Sequence, residues 1–530
     1  MSQARSKTKV DNVSEELSDD RGNQDSANQK FANSELVIGL VGAVGSELNK
    51  AVEIIKDRLK SYGYHEVHEI RISKDIIPDI VDVGLSPSCT DEYKRINTLM
   101  DAGDEARKQS GDNSILALGT TAWIQYLGKK PEGDITIRDL RPRNAYIINS
   151  LKHPEEVLQL RRIYPLGFYL FGVYAEETRR HNYLVNDRQI SKANAKLLMD
   201  RDKDEKLDYG QCVTETFHMS DFFVRLDDSQ DQLKNSLWRL FDILFGHPYK
   251  TPTFDEYAMF LAHAAALRSA SLSRQVGAVI AKNKEILATG ANDCPKYGGG
   301  LYWPFFDEKT GEIHDIPDGR DHKRGEDSNK TQLKQIITDI VTMVKTSQGE
   351  IDTKKLEDVL DSSPIKDLTE FGRAVHAEME ALLSCARNQG NTRGATLYTT
   401  TFPCHNCARH IIAAGIVRVV YIEPYEKSKA TELHKEAISL SFFSDQKSAS
   451  KVCFEPFVGV GPRRFFDLFS MRIGSGNKLI RKDSKGKVLK WKPGNGNLRL
   501  QMLPSSYLDL EFGSCDKFSN VYNKMQGGKK

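Results

Sequence analysis

The most constraining feature of this chain is a triplet, His376-Ala377-Glu378, followed further along by Pro403-Cys404-His405-Asn406-Cys407. Zinc prefers tetrahedral nitrogen and sulfur donors, and catalytic sites take three from the protein and leave the fourth position to water. His376, Cys404 and Cys407 supply that set and are the candidate ligands of a Zn2+ cofactor. The Cys-x-x-Cys spacing at the start of a helix turns both thiols to one face. A helix N-terminus also favours the thiolate, which is the ligand form. Glu378, two residues past the candidate His ligand, is the candidate catalytic acid/base, within reach of a water and of the ring under attack. A closed zinc knuckle would recruit His405 or Cys385 as a fourth ligand, and would leave Glu378 and Pro403 without a purpose.

The 530 residues argue for more than one domain, because single cores rarely grow past ~250–300 residues. Lys and Arg number 75 against 73 Asp and Glu, so the whole chain makes no general case for coating a polyanion. Eight cysteines are too sparse for a disulfide scaffold and point to a reducing, cytoplasmic setting. No run approaches the ~20 apolar residues of a membrane span, and the N-terminus lacks the apolar core of a secretory signal.

Residues 1–34 are polar and poor in large apolar groups, the composition of a disordered tail. Residues 35–245 then alternate apolar runs with amphipathic segments. Strands are expected at 36–41, 67–72, 115–118, 145–148 and 168–173, giving an α/β domain with a mainly parallel sheet. A second domain is expected over 250–470. It has a helix at 254–269, paired strands at 276–280 and 285–289, and further strands at 396–400 and 417–422. Within it, about 296–369 reads as an insertion, since structureless loops of that length are uncommon in compact domains. Residues 471–530 read as a basic C-terminal extension, with Trp491 among its lysines.

The triplet with Pro-Cys-x-x-Cys matches the zinc deaminase signature. Taken with Ser273-Arg-Gln-Val-Gly-Ala-Val279, Thr289-Gly-Ala-Asn292 and Glu423-Pro-Tyr425, it makes the second domain resemble the cytidine and deoxycytidylate deaminase family. The resemblance implies a mixed sheet flanked by helices and hydrolysis of cytosine to uracil at C4. It also implies Asn292 as a substrate-sugar contact. A glycine-loop domain ahead of such a deaminase resembles the bacterial anti-phage dCTP deaminases, over most of residues 36–525. That wider likeness implies conversion of dCTP to dUTP with release of ammonia, dCMP to dUMP as a second activity, and defence by draining a phage precursor. The alternatives are a nucleic-acid-editing cytosine deaminase and a dCMP deaminase of ordinary nucleotide metabolism. Candidate phosphate partners are the Arg463-Arg464 pair, with Arg274, Lys296, Arg320, Lys323, Arg324 and Lys427. Tyr302-Trp303-Pro304 is either a cover for a base or a local anchor.

Gly39, Gly42, Gly45 and Ser46 lie between a strand and a helix, the context of a phosphate loop, and are the candidate nucleotide-binding residues. The lysine of a P-loop is missing, and Glu47 stands there instead. The first domain otherwise resembles P-loop nucleotide kinases. The departure favours a bound regulatory nucleotide over phosphoryl transfer. A homo-oligomer and an inhibitory RNA or protein are further expected partners; no membrane is.

Overall fold

The computed structural model describes residues 34–86, 89–128, 141–203, 209–226, 229–349, 351–368, 370–425, 427–442, 450–471, 478–500, 502 and 504–527. Residues 1–33 of the expected tail lie outside that set. The chain divides into two units, residues 1–252 with 458–530, and residues 253–457. Among the described residues no helix is long and apolar enough to cross a membrane.

In the first unit the strands β1 (Leu36–Val41), β2 (Glu66–Arg71), β3 (Asn144–Asn149), β4 (Phe168–Tyr174) and β5 (Phe222–Arg225) pair in parallel, in the order β5-β4-β1-β3-β2. A short strand, Gly459–Val460, closes the β5 edge in antiparallel fashion. Parallel sheets are covered on both faces, and the central strand shows it. Leu36, Ile38 and Leu40 enter one apolar cluster, while Val37 and Val41 enter the other. Helices α1 (Leu48–Lys60), α2 (Glu92–Ser110), α3 (Ile115–Leu127), α4 (Pro154–Ile163), α5 (Lys192–Lys203) and α6 (Gln230–Leu244) belong to the same unit.

Two sequence expectations change here. The run at 115–118 is the first turn of the buried helix α3, not a strand. A short apolar run cannot separate a buried strand from a buried helix, and Thr120 and Thr121 satisfy their hydroxyls on the carbonyls of Leu116 and Ala117. The fifth strand is instead Phe222–Arg225.

The C-terminal segment also departs from the expected boundaries. Residues 458–530 return to the first unit, so they are neither the end of the deaminase domain nor a free extension. Leu498, Leu500, Met502 and Tyr507 are buried. Arg499 donates to Asp467 O, and the Tyr507 and Tyr146 hydroxyls both reach the Glu35 carboxylate. Apolar and paired residues between the lysines carry this packing, which a count of basic charge hides.

The second unit is built on a mixed sheet, as the resemblance implies. Strands β6 (Gly277–Lys282) and β7 (Glu285–Ala291) form an antiparallel hairpin, and the insertion carries a small hairpin, β8 (Phe305–Asp307) with β9 (Glu312–His314). Strands β10 (Thr396–Thr401), β11 (Arg418–Glu423), β12 (Val452–Pro456) and a short edge strand, Ile438–Ser439, complete the six-stranded main sheet, with β10 antiparallel to β6 and parallel to β11. The helices are α7 (Phe254–Ala266), α8 (Ser328–Gln348) and α9 (Thr353–Ser362) of the insertion, α10 (Ala377–Arg387) and α11 (His405–Ala413). Arg418 ties the layers together: its guanidinium meets Asp255 of α7 with both amino groups, at 3.0 and 2.7 Å, and Glu455 of β12 through Nε at 2.7 Å.

Candidate active site

Two helix N-termini converge on the signature residues. His376 caps α10, with Glu378 in its first turn, and Cys404 caps α11, with Cys407 in its first turn. Close packing sets α10 in place. A Cβ on Gly290 of β7 would stand 2.2 Å from Ala377 O and 2.4 Å from Ala381 N, so only glycine lets the helix lie this near the strand. Just before the helix, Val375 N–H donates to Asp293 O at 3.0 Å, which fixes the entry to His376. On the other side the Ser428 hydroxyl donates to Pro403 O at 2.7 Å and steadies the turn into Cys404.

The result is one cluster. His376 Nδ1 lies 3.3 Å from Cys404 Sγ and 3.4 Å from Cys407 Sγ, and Glu378 Oε2 is 3.5 Å from Cys407 Sγ. The three donor atoms lie within 4.8 Å of one another, so one imidazole and two sulfurs face a common point. This donor set fits zinc. The two thiols share one proton's worth of charge: their mutual hydrogen bond holds Cys404 down, helped by His376, and pushes Cys407 up. The same Cys404 contact pushes His376 up to about 9. Glu378 is buried, and that burial pushes its carboxyl above the ordinary carboxylate range.

The family profile "Cytidine and deoxycytidylate deaminase zinc-binding region" matches residues 252–423, all but the first of them in the second unit. The chain is 30% identical to the deoxycytidylate deaminase of Enterobacteria phage T4, over 32% of this chain and 77% of that one. This chain belongs to the cytidine and deoxycytidylate deaminase family. The deoxycytidylate deaminase of Mycobacterium phage D29 is likewise 30% identical, over 32% of this chain and 94% of the relative. A dCMP deaminase from the cyanophage S-TIM5, solved in complex with dCMP and dUMP, aligns with 39% of this chain and 98% of its own at 18% identity, with a TM-score of 0.22.

Around the deaminase cluster the other candidates fall out differently. Asn292 is buried at the end of β7, where its Oδ1 accepts from Val276 N–H at 2.7 Å and its Nδ2 donates to Arg274 O at 2.8 Å. Both ends of this amide thus brace the loop before β6. Arg274 is exposed, 3.4 Å from Glu423 and 5.4 Å from the Tyr425 ring centre. Arg320 is buried against Asp293 and Asp315 and donates to Tyr302 O at 2.7 Å. Arg268 donates to the same carbonyl at 2.6 Å and stacks 3.6 Å over Trp303, so the Tyr302-Trp303 stretch anchors the insertion locally. Arg463 and Arg464 belong to the first unit, where Arg464 is buried against Asp221 and donates to Phe168 O at 3.1 Å. Gly39, Gly42, Gly45 and Ser46 also lie there, between β1 and α1. Sequence reading passed over Asp293 and the tight seat at Gly290. The motif Thr289-Gly-Ala-Asn292 held both signals in or beside it, but only a strand packed on a helix shows why its glycine is needed.

Proposed function

We propose that the second unit hydrolyses the 4-amino group of free deoxycytidine nucleotides, dCTP to dUTP with dCMP to dUMP beside it, and that this drain on dCTP serves antiviral defence. The observation that carries the chemistry is the convergence of His376, Cys404 and Cys407 with the buried Glu378 carboxyl among them. The names of the relatives support a deoxycytidine nucleotide, and the glycine-loop unit joined to the deaminase supports the dCTP reading. A zinc ion held by these three residues would supply Lewis acidity, which would bring the pKa of a water from ~15.7 towards ~7. Glu378 takes one proton from that water and hands it to the ring nitrogen, then carries the proton of the new C4 hydroxyl to the departing amine. Water adds at C4, the C4–N bond breaks, and ammonia leaves. A carboxyl with its pKa raised by burial is suited to both steps, because acid/base catalysis is most efficient near the working pH.

The test is chromatographic product analysis after incubation with dCTP, dCMP, CTP, cytidine and a cytosine-containing single strand, with Glu378→Ala beside the wild type. Uracil product from dCTP or dCMP, absent in the variant, supports the reading and ranks the two substrates. Product from the single strand alone would replace it with base editing, which uses the same zinc chemistry.

A further inference from the structure

The first unit contains a cavity of about 270 Å³ at the glycine loop, and the deamination reading makes no use of it. Its wall holds the loop Gly42–Ser46, the N-terminus of α1 and the turn after β3. We propose that this cavity binds a nucleoside monophosphate, with its phosphate on the α1 N-terminus and the Ser46 hydroxyl, and with Lys152 as the cation that the loop itself lacks.

Three observations converge on this assignment. Ser46 is 2% exposed, and among the described residues its hydroxyl has no hydrogen-bond partner although it lines the cavity. A buried hydroxyl left unpaired costs ~1–3 kcal/mol, and a bound acceptor removes that cost. It sits at the start of a helix of thirteen residues, where free N–H groups and the dipole attract anions. Second, the chain brings a lysine to the loop from elsewhere. Lys152 Nζ donates to Gly42 O at 3.1 Å and to Asp202 at 2.7 Å, while Asp202 also accepts Val44 N–H at 2.6 Å.

The turn that presents Lys152 is held firmly. Its N–H donates to Glu156 at 2.9 Å, its carbonyl accepts from Cys212 N–H at 3.0 Å, and Ser150 is kept at φ 77. A serine in that left-handed region is strained, and such strain gathers at ligand sites. Third, charge and size limit the ligand. Four cations line the cavity, Arg95, Arg107, Lys152 and Arg188, against two carboxylates, Glu47 and Glu156. Asp202 pairs Lys152, and Glu92 pairs Arg95 and Arg188, so little positive charge is left over; that suits one phosphate monoester, about −1.5 to −2 at neutral pH, better than a triphosphate. The lining also holds apolar side chains, among them Ile72, Ile77, Leu99 and Met100, which can take a flat base. The volume lies near the small end of ligand pockets, about 300–1,000 Å³.

Calorimetric titration of the full chain with AMP, GMP, dCMP, dUMP and inorganic phosphate tests the proposal. The variants are Ser46→Ala and the charge-neutral pair Lys152→Met with Asp202→Asn, which avoids leaving Asp202 buried alone. At least one monophosphate should bind the wild type more tightly than inorganic phosphate does. Ser46→Ala should weaken that binding about tenfold, in line with a hydrogen bond to a charged group, and leave the melting temperature unchanged or higher. The double variant should weaken it further. Binding untouched by both changes, or no monophosphate binding at all, overturns the assignment. Mg-ATP binding more tightly than every monophosphate overturns the single-phosphate part. Deamination assayed on the same preparations is a separate readout, so loss of one reading leaves the other standing.

Discussion

The glycine loop of the first unit and the metal cluster of the second both set helix N-termini against buried polar groups, yet they settle their charges in opposite ways. At the loop, opposite charges are already matched. Lys152 meets Asp202, Arg107 meets Glu156, and Arg179 meets Glu47. At the cluster, three donors of one kind of chemistry face each other and a carboxyl, with no lysine or arginine among them. Donors that converge without a counter-charge call for a cation from outside. Charges that arrive already paired leave little over, which suits a ligand with a single phosphate. The difference explains why the metal centre is plain from its residue types, while the loop's chemistry hangs on one hydroxyl and one lysine.

The comparison breaks most sharply at Glu378. Glu378→Gln should lower deamination by about 10²–10⁴-fold while metal analysis still finds zinc, because the glutamate is not among the three donors. Cys407→Ala should lose both zinc and activity. If the Gln variant keeps near-wild-type rates, the proton carrier lies elsewhere and the cluster is a structural metal site.

Next in size is the tie that holds the second unit's layers. Arg418→Met leaves Asp255 and Glu455 without their cation and should cost about 2–3 kcal/mol, less than a fully buried pair because Asp255 is partly exposed, read from thermal unfolding. Burial works to raise the Asp255 pKa, but the Arg418 hydrogen bond and charge prevail and leave it below the usual range. This contribution to stability is therefore present above the unfolded pKa near ~3.9. It disappears as pH falls through the lower folded value. The gap between wild type and Arg418→Met should narrow below about pH 4. A gap that stays constant across that range would mean that the carboxylates are not what Arg418 stabilises.

Smaller again is Gly290→Ala, about 1–3 kcal/mol for forcing bulk into a packed seat, with zinc affinity and activity lowered together because α10 carries both His376 and Glu378. Unchanged zinc affinity would show that α10 can shift without disturbing its first turn. Ser46→Ala should cost no stability, with a melting temperature unchanged or higher, since among the described residues its hydroxyl has no partner to lose. A clear loss of stability there would give the hydroxyl a structural role and weaken the contrast between the two sites.

Much of the second unit was legible in residue order. His376, Glu378, Cys404 and Cys407 were all named from spacing, because zinc chemistry demands particular atoms and helix starts place them predictably. The paired strands at 277–282 and 285–291 also followed from alternation and a turn. The first unit was harder to read. Leu116 and its neighbours form a buried helix, where an apolar run gives no period to separate strand from helix. The basic tail also misled, since its lysines are conspicuous and its anchoring residues, Arg499 and Tyr507, are scattered among them.

By itself, then, the sequence determined the metal chemistry, because ligand identity is a property of side chains and their local spacing. It also pointed to the parallel sheet of the first unit through the alternation of apolar runs and amphipathic segments, and to the mixed sheet of the second through the family resemblance. Only the tertiary structure decided which charges meet. Asp202 against Lys152 and the glycine loop, Asp255 against Arg418, and Arg464 buried on Asp221 rather than free for a phosphate are all pairings between residues far apart in the chain. Electrostatic partnership depends on distance in space and on burial, and neither is written in the spacing of letters.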